Sequence, residues 1–136
     1  MSIFKDKICI VTGGAQGIGR SLCDELARHG AYVVMADINF ESLEKEADSL
    51  LEKGLKVKAV HLDVTDEKGF KKIIQDTAAE HGQLDYLFNV AGTAVIGETQ
   101  DVTIDHWKKV FDVNLNGVAY GAFHAYQLMA KQGSGH

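Results

Sequence analysis

Cysteine is scarce in this chain: Cys9 and Cys23 are the only two among 136 residues, and they form no C-x-x-C and no metal-ligand spacing. That removes a cysteine-based metal centre. Both lie in apolar surroundings, as buried, reduced thiols of a cytosolic protein do. Long apolar runs are missing too. The start, MSIFKDKICIVTGG, has no stretch long enough for a signal peptide, and no later run approaches a membrane span, so a cytoplasmic location is expected. Positive charge is in deficit, with a formal net charge of -5 and lysines scattered rather than gathered in a stripe. Neither a nucleic acid nor an anionic membrane is therefore an expected partner. Low-complexity sequence and linkers are absent, and a composition 46% hydrophobic and 24% charged suits one domain, residues 1–136, with one core.

What is present alternates. The run KICIVTG (7–13) reads as a strand covered on both faces, and GIGRSLCDELARHG as a helix with Ile18, Leu22 and Leu26 on one face and Gly30 as its stop. A second strand at 31–37 leads to a helix capped by Asn39, burying Leu43, Ala47 and Leu50 and ending at Gly54. LKVKAVHLDV is a third strand. The third helix is expected to be capped by Thr65 and to face the sheet with Phe70, Ile73, Ile74 and Thr77. LDYLFNVAG is a fourth strand. A single long helix is expected over about 103–131, with Trp107, Val110, Phe111, Asn114, Leu115 and Val118 sharing a broad face. Gly117 and Gly121 inside it each cost about 1 kcal/mol in helix propensity, which points to close contacts there. Strands alternating with helices predict an α/β fold with a parallel sheet and right-handed crossovers.

The chemistry gathers at strand ends. TGGAQGIG (12–19) lies between the first strand and the first helix, where glycines let backbone approach a pyrophosphate and a helix N-terminus offers free N–H groups. A purely structural glycine turn is the competing reading. Asp37 ends the second strand, eighteen residues beyond Gly19, where a carboxylate can accept both ribose hydroxyls of an adenosine. A 2′-phosphate would meet like-charge repulsion there, so NAD is favoured over NADP, although a solvated capping aspartate is the plainer alternative. Asp63 and Val64 suit an adenine amino group and ring face, or in Asp63 a simple strand-end cap. Asn89, Ala91 and Gly92 end the fourth strand on the same edge, with Asn89 better suited to tying strand ends than to touching substrate.

Taken in order, TGGAQGIG, Asp37, LDVTD (62–66), NVAG (89–92) and VNLNG (113–117) make the chain similar to the short-chain dehydrogenase/reductase family over nearly its whole length. The resemblance implies a Rossmann-type doubly wound parallel sheet of about four strands in the order 3-2-1-4, with helices on both faces. It also implies hydride transfer between NAD and a small alcohol or carbonyl substrate, and a homo-oligomer. Gly13, Gln16, Gly17, Ile18, Gly19, Asp37, Ile38, Asp63, Val64, Asn89, Ala91 and Gly92 would hold the cofactor. Asn114 corresponds to the catalytic asparagine that holds a water in a proton relay and bends the fourth helix. A buried, satisfied structural asparagine is the other reading of Asn114. No metal is implied. Val90 replaces a commoner asparagine. The family's serine and Tyr-x-x-x-Lys pair are not found: Tyr120 is followed four positions on by His124, and Tyr126 five positions on by Lys131. MAKQGSGH then reads as the turn into a fifth strand, and the expectation is a cofactor-binding portion, truncated before that strand and inactive alone. A non-catalytic nucleotide-binding module, or a structural dimer using the open sheet edge, is the alternative.

Overall fold

A computed structural model describes residues 2–136. Strands β1 (Ile8–Thr12), β2 (Tyr32–Asp37), β3 (Val57–His61) and β4 (Tyr86–Phe88) form one parallel sheet in the order β3-β2-β1-β4. Its side-chain alternation builds two cores. Cys9, Val11, Val33 and Met35 pack on one face against α1 (Gly17–Arg28) and α2 (Phe40–Glu52). Ile8, Ile10, Val34 and Ala36 pack on the other against α3 (Glu67–His81) and α5 (Gly117–Gln132). The central strands are apolar throughout because both of their faces are covered. The expected doubly wound α/β architecture and strand order are therefore present.

Several local expectations change. In α1 the buried face is Gly19, Cys23, Leu26 and Ala27, while Ile18 is 78% exposed and lines the open space at the strand ends rather than the core. The cap of α3 is Asp66, whose carboxylate accepts from Gly69 N at 3.1 Å. Thr65 instead donates its hydroxyl to Asp63 at 2.7 Å. Asn39 does cap α2, accepting from Ser42 N. The long terminal helix is not continuous: α4 (Ile104–Phe111) passes through a π turn, Asp112–Asn116, into α5. The extra residue rotates the helix face. Ile104, Trp107, Phe111, Leu115 and Val118 stay exposed, while half-buried Val113 of the turn and the buried residues of α5 pack against the core.

The glycines of α5 sit at contacts. A Cβ on Gly117 would lie 2.7 Å from Val64 Cγ2, and one on Gly121 would lie 2.5 Å from the Phe70 ring. These set how closely the helix approaches β3's exit and α3. Beyond α5, Gly133 adopts φ 79° and the chain turns back onto the sheet. His136 N donates to the Asp85 carbonyl at 2.8 Å, and Leu87 N donates to the His136 carbonyl at 3.1 Å, the alternating pattern of a parallel pair on β4's outer edge.

At the amino-terminal edge of the sheet the buried Asp85 side chain anchors β1 to the start of β4. It accepts from Ile8 N at 2.8 Å, Lys7 Nζ at 2.9 Å and Gln83 Nε2 at 2.8 Å. The hydrogen bond and charge of Asp85 raise the Lys7 ammonium above its ordinary pKa. Asp85→Ala is expected to lower stability by about 1–3 kcal/mol, because the buried Ile8 amide loses its acceptor. A urea midpoint that does not move would refute that anchoring role.

Candidate functional site

The carboxyl ends of β1, β2 and β3, with the loop after β4, open on a cleft of about 510 Å³. This is the edge where ligands bind in open parallel sheets. Gly13, Gln16, Gly17, Ile18, Gly19, Asp37, Ile38, Asp63, Val64, Ala91 and Gly92 all line it. The turn between β1 and α1 is tight enough to need its glycines. Gly13 has φ 71°, and a Cβ on it would stand 2.9 Å from the Ala91 backbone. A Cβ on Gly19 would overlap the Gly13 carbonyl. Gly17 has φ 55° with open space before it, on the cleft side.

The N-terminus of α1 is free. Gln16 makes no side-chain capping bond and the first turn carries no acidic residue. The opening amides of the helix and the positive end of its dipole therefore face the cleft without an internal acceptor, which fits a phosphate group. Asp37 supports this turn from β2: Oδ2 accepts from Ala15 N at 3.0 Å and Oδ1 accepts from Asn39 N at 2.9 Å. Asp63 accepts from the amide and hydroxyl of Thr65, so it does cap a strand end, and it lines the cleft as well.

Two of the residues singled out from sequence do not line the cleft. Asn89 lines a second cavity with Leu87, Ala125 and Met129, and its Oδ1 would lie 2.6 Å from a Cβ on Gly121. Asn114 is exposed rather than buried, with both ends of its amide on one residue: Oδ1 accepts from Thr93 N and Nδ2 donates to the Thr93 carbonyl, each at 2.8 Å. This pair fastens the π turn to the loop that follows β4.

Sequence reading gave no role to Thr12, which is buried at the end of β1. Its Oγ1 accepts from Val90 N at 3.0 Å and Ala91 N at 3.1 Å, and so holds the β4 exit against the glycine turn. A hydroxyl residue closing an apolar strand was the available signal. Leu62, Val90, Thr93, Lys109 and Val113 also line the cleft without having been picked out. The two thiols take no part in the site. Both are core residues, and burial pushes each up to about 12, so neither is a nucleophile near neutral pH. Among the described residues no group of acidic, histidine or cysteine side chains is placed to hold a metal ion, and no helix is long and apolar enough to cross a membrane.

The family model described as short chain dehydrogenase matches residues 7–136. An uncharacterized oxidoreductase of Staphylococcus aureus (strain USA300) is 35% identical over 136 residues, 100% of this chain and 58% of that protein. The cyclopentanol dehydrogenase of Comamonas sp. is 34% identical over 135 residues, 99% of this chain and 54% of that enzyme. In structure, a short chain dehydrogenase/reductase from Burkholderia phymatum in complex with NAD superposes with a TM-score of 0.92 at 30% identity, over 97% of this chain and 47% of that one. The chain thus spans little more than half the length of the curated relatives it matches.

Proposed function

The chain belongs to the short-chain dehydrogenase family, and on that footing we propose that it forms the NAD-binding part of an oxidoreductase acting on an alcohol or carbonyl substrate. One observation carries the reading: the uncapped N-terminus of α1 and the Asp37 carboxylate line the same cleft, a phosphate site beside a ribose site. When bound, the nicotinamide supplies or accepts the hydride. Residues 13–19 bind the pyrophosphate through backbone amides, as a helix N-terminus and glycine turn do. Asp37 accepts from the adenosine ribose hydroxyls and repels a 2′-phosphate. Asp63 and Val64 take the adenine, and Ala91 and Gly92 give the cofactor room along the β4 exit.

Asn114 serves the proton relay by position. Its side chain is committed to Thr93, so its contribution is to hold the π turn in place. The sequence has no tyrosine four residues before a lysine, the donor and cation such chemistry uses, so these 136 residues alone should bind cofactor without turning over substrate. The exposed stripe of Trp107, Phe111 and Leu115 suits contact with a second copy.

Titration calorimetry tests the reading. NAD should bind at least about tenfold more tightly than NADP, a gap of about 1.4 kcal/mol. Asp37→Ala should shrink that gap to about threefold or less while weakening NAD. Failure to bind either dinucleotide would sink the proposal.

A further inference from the structure

The cleft has one cation, and no part of the glycine turn supplies it. Among the described residues that line it, Asp37 and Asp63 are acidic and Lys109 of α4 is the only base. The basic residues around it are engaged elsewhere. Lys108 faces Asp105 at 3.9 Å, and Arg20, at the start of α1, faces Glu46 at 3.1 Å. Lys109 has no ion pair among the described residues, although two carboxylates line the same cleft.

The placement of Lys109 follows from the helix. Lys109 and Val113 are one turn apart, on one face, and both line the cleft. Beyond them the Asn114–Thr93 pair fixes the π turn to the β4 loop, so the base of the lysine stem is held while its ammonium remains free to move. A cleft lined by two carboxylates repels a dianionic ligand, and one mobile cation in the same lining offsets part of that.

We propose that Lys109 is a cofactor-binding residue, reaching across the cleft to a phosphoryl oxygen of the dinucleotide opposite the amides of the glycine turn. The proposal rests on the dinucleotide reading of the cleft. Lysine suits the task as a flexible point charge rather than a rigid fork. Because Lys109 is exposed, its removal should leave the fold unchanged.

The test is binding of NAD, ADP and adenosine by the protein and by Lys109→Ala and Lys109→Arg, each across a range of salt. Lys109→Ala should weaken NAD and ADP by about three- to tenfold at low ionic strength, an effect that fades as salt screens the pair. Adenosine, which has no phosphate, should bind as before, Lys109→Arg should retain affinity, and melting temperature should not move. An equal loss for adenosine would place the lysine on the nucleoside and overturn the phosphate contact. So would NAD affinity and salt dependence that match those of the unsubstituted protein. If the unsubstituted protein binds none of the three, the dinucleotide reading itself fails, a result distinct from either of these.

Discussion

Gly19→Ala is expected to weaken NAD binding by about 100-fold or more and to lower stability by about 3 kcal/mol. The added methyl would overlap the Gly13 carbonyl and come within 2.6 Å of the Gly13 carbonyl carbon. Both are backbone atoms, so no rotamer change relieves the clash. Alanine's better helix propensity returns only about 1 kcal/mol, less than such overpacking costs. Relief requires the β1–α1 turn to open, and that turn also carries Gly13 against the Ala91 backbone. The amides proposed to hold the pyrophosphate would then diverge. Calorimetry with NAD and a urea melt on the same preparation separate the two effects. A variant that binds and melts like the parent would show that the turn is looser than its geometry implies.

Gly121→Ala is the second large expectation, and it acts on stability alone. Its methyl would lie 2.5 Å from Cζ and 2.8 Å from Cε1 of Phe70, and 2.6 Å from Asn89 Oδ1. Phe70 is fully buried among Leu62, Ile74 and Ala125, and so cannot swing aside. The overlap should outweigh the propensity gain and leave a net loss of about 2 kcal/mol. Phe70→Leu costs stability by itself, but placed in the Gly121→Ala background it should recover part of the loss. A double-mutant cycle by thermal melting reads that coupling, and simple additivity would refute direct contact.

The pieces legible in the sequence were those whose cause is local. Asn39 before an amphipathic run, glycines closing helices at Gly30 and Gly54, and apolar runs for strands covered on both faces all act within a few residues. The strand order followed from the resemblance and is present in the structure. What escaped reading depends on where an element lies relative to others. Ile18 repeats with Leu22 and Leu26, yet it is exposed and lines the cleft instead of the core. Asn89 follows the two-residue period of β4 from Leu87, so it shares a cavity with α5 residues while Val90 and Ala91 line the cleft. The π turn left no mark in the apolar spacing, to which one extra residue in a helix is invisible; only the resemblance, which puts a bend of this helix at Asn114, pointed there. Lys109 escaped for the same reason: its helix returns over the cleft from far along the chain.

Asp37 joins two segments through opposite oxygens, one to Ala15 ahead of α1 and one to Asn39 ahead of α2. Its carboxylate is therefore already oriented before any ligand arrives, with its rotamer entropy given up during folding rather than during association. A preorganised acceptor of this kind lets a sugar diol bind without freezing a side chain. It also makes the two helix starts move as one body: a substitution that loosens α2 near Asn39 should be felt at the glycine turn, across β2, with no contact of its own to the cleft.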